Sequence, residues 1–257
     1  MERFLQTIVK EAGAVALKHF GTAKAAYYKS SRNSDVVTKA DLASERVILK
    51  RIREKYPEHG IISEESGRYN ADREFVWIID PIDGTLNFSS GISMFAVMIC
   101  LIRHGEVIMS AIYIPTTKEL FFASRGKGAY LNGKRIHCSS TPNVFRSIGS
   151  GSATLRGKLL PFLKNLTALA KKEGSDIIYG SLSSVGVNSC YVAAGRKDWV
   201  TTLVAALHDF APVSLILEES GCTVTDTKGK KWTLESDTLV AANPRLHRSL
   251  MTLTKNI

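Results

Sequence analysis

Two carboxylates, Asp80 and Asp83, close an apolar run at residues 75–79 and flank Pro81-Ile82 ahead of Gly84-Thr85. A strand that ends in carboxylates beside exposed amides can hold a hard cation and a phosphate together. Carboxylate and carbonyl oxygens suit Mg²⁺, and aimed N–H groups suit an anion. Taken alone, Asp-Pro-x-Asp-Gly also fits an Asx-type surface turn. The apolar strand before it and the carboxylates elsewhere in the chain favour a site. Asp41, Glu64-Glu65 and Asp209 each fall at the end of a predicted strand or the start of a predicted helix. Each also has a purely structural explanation. Thr38-Lys39-Ala40-Asp41 has the form of a capping box, and Asp209, ahead of Phe210-Ala211-Pro212, is a natural N-cap with proline in the first helical turn. As a set they are oxygen-rich and have no accompanying cluster of cysteine or histidine, which favours Mg²⁺ or Mn²⁺ over zinc. No Ser/His/Asp or Cys/His set goes with them, so a protein nucleophile is not indicated.

The elements that must position these residues follow from hydrophobic periodicity. Apolar residues at Leu5, Ile8, Val9, Ala12, Val15, Ala16 and Phe20 mark a helix that Gly21 ends. A polar stretch at 29–35 reads as a loop, and a second helix runs from Asp41 to about Tyr56, closed by Pro57. Gly60-Ile61-Ile62-Ser63 reads as a short strand delivering Glu64-Glu65. The strand at 75–79 is expected to stop at Pro81, which has no N–H for the ladder. Antiparallel strands follow at 95–102, 106–114, 119–123 and 128–131, with Asn132-Gly133 marking a tight hairpin. Beyond them the pattern alternates. Helices are predicted at 155–172, 184–194, 209–220 and from Pro244, with strands at 177–180, 198–204, around Val224 and at 238–242. The fold class is therefore α/β, with an α+β part over 1–145 and an α/β part over 146–257 in one domain spanning 1–257.

Length and composition fit a soluble globule: 257 residues, 44% hydrophobic and 23% charged. No apolar run reaches the ~20 residues of a membrane helix, and no signal peptide is expected at the N-terminus. Cys100, Cys138, Cys190 and Cys222 lack metal-like spacing and read as reduced, mostly buried thiols of a cytoplasmic protein. The net charge of +10 is spread out and not interleaved with aromatic residues, so a solvated surface is favoured over a nucleic-acid face.

The ordered motifs resemble the inositol monophosphatase family of Mg²⁺-dependent, lithium-sensitive sugar phosphatases. The marks are Asp35-Val36-Val37-Thr38-Lys39-Ala40-Asp41, Glu64-Glu65-Ser66, and the run from Trp77 through Asp80-Pro81-Ile82-Asp83-Gly84-Thr85 to Phe88. Gly126-Lys127-Gly128-Ala129, Asn132-Gly133, Asp209 and Glu218-Glu219-Ser220-Gly221 complete the series. The resemblance implies a layered αβαβα sugar-phosphatase fold. It implies that Glu64, Asp80, Asp83, Asp209 and the Ile82 carbonyl hold two or three Mg²⁺ (or Mn²⁺) ions. Asp41 and Thr85, with Glu65 nearby, are then expected to orient the attacking water, and the Gly84 and Thr85 amides to contact phosphate. The partner implied is a small phosphorylated sugar or polyol, in a cytoplasmic homodimer without membrane attachment. Relatives on this scaffold also handle histidinol phosphate, fructose 1,6-bisphosphate and 3′-phosphoadenosine 5′-phosphate. A non-catalytic RNA- or protein-binding role is the alternative of another class. Clustered carboxylates argue against it, since like charges cost stability unless a cation sits among them.

The chain departs from the family pattern where substrate is read. Thr202 stands where inositol-type members carry a glutamate, and His208 where they carry tryptophan; Ala211-Pro212 keeps the first of two small residues. Ser184, Val185 and Thr202 are the expected substrate contacts. His208 is expected to pack away from the site, because side chains adjacent along a chain tend to diverge.

Overall fold

The computed structural model describes residues 1–22, 25–28, 36–151, 157–254 and 257. Asp35, the predicted loop at 29–35 and the predicted helix start at Leu155 lie outside the described residues. The first part of the chain comprises α1 (Glu2–His19), β1 (Ala25–Tyr28), β2 (Val36–Thr38), α2 (Lys39–Lys55), β3 (Gly60–Ser63), β4 (Gly67–Tyr69), β5 (Phe75–Asp83) and α3 (Thr85–Ser89). A meander follows: β6 (Ala96–Arg103), β7 (Glu106–Ile114), β8 (Glu119–Ser124), β9 (Gly128–Leu131) and β10 (Lys134–Ile136). The rest is β11 (Ile148–Gly151), α4 (Leu159–Glu173), β12 (Ile178–Gly180), α5 (Val185–Ala193), β13 (Trp199–Thr202), α6 (Leu207–Glu219), β14 (Thr223–Thr225), β15 (Leu239–Ala242) and α7 (Pro244–Leu253).

Strands β3 to β10 form an eight-stranded sheet in the order β10-β9-β8-β7-β6-β5-β3-β4, parallel at the β3–β5 pair. Strands β11 to β15 form a five-stranded mixed sheet in the order β12-β11-β13-β15-β14. Period-2 alternation along buried strands sends neighbouring side chains to opposite faces and so into different cores. Trp77 and Ile79 of β5 pack with Leu5, Ile8 and Val9 of α1 and with Ile48 and Ile52 of α2. Val76 and Ile78 of the same strand pack with Val187 and Cys190 of α5 and with Val213, Ile216 and Leu217 of α6. That second core also takes Val200, Leu239 and Ala241 from the five-stranded sheet. The far face of that sheet, through Trp199, Val240 and Ala242, meets Phe162 of α4 and Leu246 and Leu250 of α7. Five layers result: α1/α2, sheet, α5/α6, sheet, α4/α7.

The central layer explains the character of α6. Phe210, Ala211, Pro212, Val213, Leu215, Ile216 and Leu217 are all buried, because the helix has a sheet on each side. Each large apolar side chain there contributes about 1.5–3 kcal/mol.

Two local expectations are corrected, and one strand was not anticipated. Strand β5 does not stop at Pro81. Its pairing with β6 runs to Asp80 opposite Met98, becomes irregular, and resumes at Asp83 opposite Ala96. Proline is accommodated in that irregularity, where no ladder N–H is required. Helix α6 begins at Leu207, so Asp209 is its third residue and Pro212 lies inside it. Asp209 still caps, by reaching back to accept from the Ala206 N–H at 2.6 Å. Finally, β11 carried no strand signal. Its sequence, Ile-Gly-Ser-Gly, reflects a packing demand: a Cβ on Gly149 would lie 2.0 Å from Trp199 Cζ2.

Candidate metal centre

The predicted acidic residues arrive from separate elements: Asp41 on the first turn of α2, Glu64 just past β3, Asp80 and Asp83 at the end of β5, and Asp209 on the first turn of α6. Carboxylate oxygens of Asp80, Asp83 and Asp209 all lie within 4.8 Å of one another. The α5/α6 layer thus carries Asp209 to the end of a strand in the neighbouring sheet. Asp80 and Asp83 are 1% and 4% exposed. Burial, and then the charges of Glu64, Asp83 and Asp209, push Asp80 well above the ordinary carboxylate range. Burial and the nearby Asp209 push Asp83 up to about 7.

Asp83 also organises the helix beside it. Its Oδ1 accepts from the Val185 N–H at 2.9 Å, and its Oδ2 accepts from the Gly186 N–H at 2.9 Å and from the Ser184 hydroxyl. The carboxylate therefore caps the N-terminus of α5, whose orphan amides and dipole favour an anion. Gly186 is required there, since a Cβ would stand 2.9 Å from Asp83 Oδ2 and 2.6 Å from Met98 Sδ. Ser184 and Val185, expected to face substrate, are in the first place partners of Asp83. Thr202 ends β13 opposite Leu239 and is buried.

Asp41 divides its two oxygens. Oδ2 closes the capping box, accepting from the Thr38 N–H at 2.7 Å and the Thr38 hydroxyl at 2.6 Å. Oδ1 lies 3.3 Å from the Thr85 hydroxyl, which also donates to the Ile82 carbonyl at 2.8 Å. The capping explanation therefore holds, and the same side chain also reaches Thr85 beside the acidic cluster. Burial raises Asp41 to about 6, against the lowering effect of its bonds with Thr38. Gly84 leads into α3 with φ of 85°, a left-handed conformation that glycine adopts without strain. A Cβ there would stand 3.0 Å from the Met94 carbonyl oxygen and 3.1 Å from Ser184 Cβ.

His208 does not pack away from the site. Its Nε2 lies 3.8 Å from Glu64 Oε1 and 3.9 Å from Asp209 Oδ2. Successive residues on a helix differ by about 100° in direction. Here, however, Asp209 bends back over the helix end toward Ala206, and His208 beside it reaches the same acidic cluster.

Sequence reasoning missed Glu45, which is 4% exposed and holds the loop bearing Glu64 and Glu65. Its Oε1 accepts from the Ser63 hydroxyl, from the Glu65 N–H at 3.3 Å and from the Ser66 N–H at 3.0 Å; its Oε2 accepts from the Ser66 hydroxyl at 2.6 Å. One signal could have found it. Glu45 lies four residues after Asp41 on α2, hence on the same helical face. Ser44, donating to the Pro81 carbonyl at 3.0 Å, gave no such signal. Asn87 was missed as well; its amide donates at 2.6 Å to the carbonyls of Met94 and Leu182, tying α3 to the segment before α5.

The donor set fits a divalent cation. Asp80 Oδ1 is buried and accepts no hydrogen bond, an expensive condition for a carboxylate in the absence of a cation. Asp80 and Asp83 are raised first by burial and then by the charges of neighbouring carboxylates, a repulsion that a cation would relieve.

A model of the inositol monophosphatase family matches residues 1–257. The chain belongs to that family. Its curated relatives include the putative Nus factor SuhB of Neisseria meningitidis serogroup B, 35% identical over 258 residues, covering 96% of this chain and 95% of that protein. The fructose-1,6-bisphosphatase/inositol-1-monophosphatase of Thermotoga maritima is 29% identical over 252 residues, covering 97% of this chain and 94% of that protein. Among solved structures, the extragenic suppressor protein suhB of Bartonella henselae superposes with a TM-score of 0.90 at 28% identity, covering 99% of this chain and 98% of that one. The layered fold is therefore shared along the whole chain. No helix among the described residues is long and apolar enough to cross a membrane. The expectation against a nucleic-acid partner finds no support in these relatives, since several carry the name Nus factor.

Proposed function

We propose that this chain is a divalent-metal-dependent phosphomonoesterase acting on a small sugar or polyol phosphate. The observation that carries this reading is the buried Asp80 Oδ1 without a hydrogen-bond partner, set among carboxylates from two layers of the fold. Glu64, Asp80, Asp83, Asp209 and the Ile82 carbonyl would hold Mg²⁺ or Mn²⁺. Bound there, such ions would polarise phosphoryl oxygens, acidify a bound water and neutralise the leaving alkoxide. Asp41 Oδ1 and the Thr85 hydroxyl, 3.3 Å apart, would position the attacking water and take its proton toward Asp41, whose raised pKa suits a base. Glu65 lies on the loop that Glu45 fixes, next to Glu64. The Gly84 and Thr85 amides would face the phosphate. Ser184, Val185 and Thr202 remain the proposed substrate neighbours, with Ser184 and Val185 holding Asp83 as well.

Substrate choice follows from Thr202. A carboxylate in that place would add a charge-assisted hydrogen bond to a sugar hydroxyl, worth about 1.5–3 kcal/mol. Threonine lacks it, so inositol monophosphate is not expected to stand out among candidate esters. Histidinol phosphate, fructose 1,6-bisphosphate and 3′-phosphoadenosine 5′-phosphate belong in the same comparison. The Nus-factor names of relatives favour a second reading, in which the chain binds RNA or a protein without hydrolysis.

The test is phosphate release across a panel of inositol, sugar, histidinol and nucleotide phosphates with Mg²⁺, on the wild type and Asp80→Asn. We expect release from at least one ester, its loss in EDTA, and a fall of about a hundredfold or more in Asp80→Asn. Release insensitive to EDTA and to Asp80→Asn would overturn the reading. Retention of RNA with no release from any ester would favour the second. A preference of about a hundredfold for inositol monophosphate over every other ester would refute the substrate argument from Thr202.

A further inference from the structure

We propose that Cys138 and Cys222 are a peroxide-oxidisable dithiol, closing to an intramolecular disulfide that ties the segment crossing between the two sheets to the end of α6. The pair lies past the C-terminal end of α6, whereas Asp209 is on its first turn, so the proposal stands apart from the metal-centre reading.

Cys138 stands on the crossing between β10, in the first sheet, and β11, in the second. That crossing is held on both sides of the sulfur. The Cys138 N–H donates to the Ser220 carbonyl at 2.9 Å, and the Ser139 hydroxyl donates to Asp198 Oδ1 at 2.6 Å. Gly195 lets the segment lie this close to the end of α5, since a Cβ there would stand 3.2 Å from the His137 carbonyl oxygen. On the other side, Cys138 Sγ is 3.9 Å from where a Cβ of Gly221 would be, one residue before Cys222. Gly221, with φ of 95°, turns the chain out of α6 and brings Cys222 back against the crossing. There the two thiols share a hydrogen bond, Cys222 donating to Cys138. Sulfurs in such contact need only side-chain rotation to reach the roughly 2.0 Å of a disulfide, because the main chain already holds the two residues together.

The two thiols differ as an attacking and a resolving cysteine should. Cys138 is partly exposed, and Cys222 is buried. The hydrogen bond from Cys222 holds the Cys138 thiol below its ordinary range; the same bond, then burial, hold Cys222 well above it. Cys100 and Cys190 are fully buried, and burial pushes both thiols up, which keeps them inert. Hydrogen peroxide is the oxidant. The Cys138 thiolate attacks one peroxide oxygen, the O–O bond breaks, and Cys138 sulfenic acid and hydroxide form. The Cys222 sulfur then attacks the sulfenic sulfur. The S–S bond forms, the S–O bond breaks, and the OH leaves as water with the Cys222 proton. Two thiols thus lose two electrons and two protons, and peroxide is reduced to two waters. The new bond encloses β11, α4, β12, α5, β13 and α6 in one covalent loop, which stabilises that part of the fold.

The experiment treats the reduced full chain with a few equivalents of hydrogen peroxide, alkylates the remaining thiols, and maps sulfurs by mass spectrometry of unreduced peptides. We expect one peptide pair joined through Cys138 and Cys222, a fall in free thiols from four to two, and full reversal by dithiothreitol. The crosslinked protein should unfold at a urea concentration higher by about 1 M. In Cys222→Ser, Cys138 should stop at sulfenic acid and be captured by dimedone; in Cys138→Ser, Cys222 should remain a thiol. Mapping of the wild type decides the linkage even if neither variant folds. Thiols that all survive the treatment, Cys138 oxidised to sulfinic acid without a crosslink, or crosslinks to other cysteines or between chains would each overturn the proposal. A Cys138–Cys222 crosslink that leaves the urea midpoint unchanged would overturn its stabilising role.

Discussion

Replacing Asp83 by asparagine should change stability with a sign that depends on pH. In the metal-free protein, burial and the neighbouring Asp209 raise this carboxyl from 3.8 to about 7. A carboxyl with a raised folded-state pKa contributes stability that is fully present below its unfolded value and is lost as pH rises through the folded one. The interval from 3.8 to about 7 corresponds to about 4 kcal/mol at full ionisation, of which about 2–3 kcal/mol falls between pH 5 and pH 8. Asparagine escapes that cost but cannot accept from every partner. With its carbonyl in the place of Oδ2 it keeps the Gly186 N–H and the Ser184 hydroxyl and loses the Val185 N–H. That loss costs about 1–3 kcal/mol. The two effects nearly cancel at pH 5, and the variant becomes the more stable by about 1–3 kcal/mol at pH 8. Urea unfolding in EDTA at both pH values measures this, and Mg²⁺ at pH 8 should reverse the order by stabilising only the wild type. A difference between variant and wild type that is the same at pH 5 and pH 8 would refute the claim that the fold holds Asp83 against ionisation.

Asp41→Asn should separate the two jobs of that side chain. Its carbonyl can keep both Thr38 bonds, so stability should fall by less than about 1 kcal/mol, while kcat drops about a hundredfold with little change in KM; Thr85→Ala should act in the same direction, and melts and kinetics on one sample tell capping from chemistry. Glu45→Ala removes the acceptor for four donors of the loop at 63–66, so it should raise the Mg²⁺ concentration needed for half-maximal activity about tenfold, and Glu45→Gln should restore most of it by accepting at the Oε1 position. Gly149→Ala should destabilise the second sheet by about 3 kcal/mol, measured as a lower urea midpoint, because its Cβ would collide with the Trp199 ring.

Much of the candidate site was legible because its residues sit at breaks in periodicity. Asp80 and Asp83 end a strand of strong β-branched and aromatic character, and Glu64-Glu65 follow a short one; both patterns depend on neighbours along the chain. The capping box at Asp41 was visible for the same reason. The layered α/β class followed from helices and strands whose apolar spacing is local. Glu45 was half-legible, through its spacing from Asp41 on α2, but nothing along the chain told which loop that face would meet.

What only the tertiary structure decided are the facts that depend on two distant segments at once. Strand β11 is written in glycine because the Trp199 ring lies over it, and a glycine chosen for another residue's bulk carries no propensity signal of its own. Asp83 caps α5 because the central layer delivers that helix end to the strand end, a contact with no trace in the spacing of either segment. His208 faces Glu64 for the same reason. Residue types and local order set which groups could bind a cation. Their meeting was decided by burial of α5 and α6 between two sheets, since hydrophobic packing is non-directional along the sequence and specific only in three dimensions.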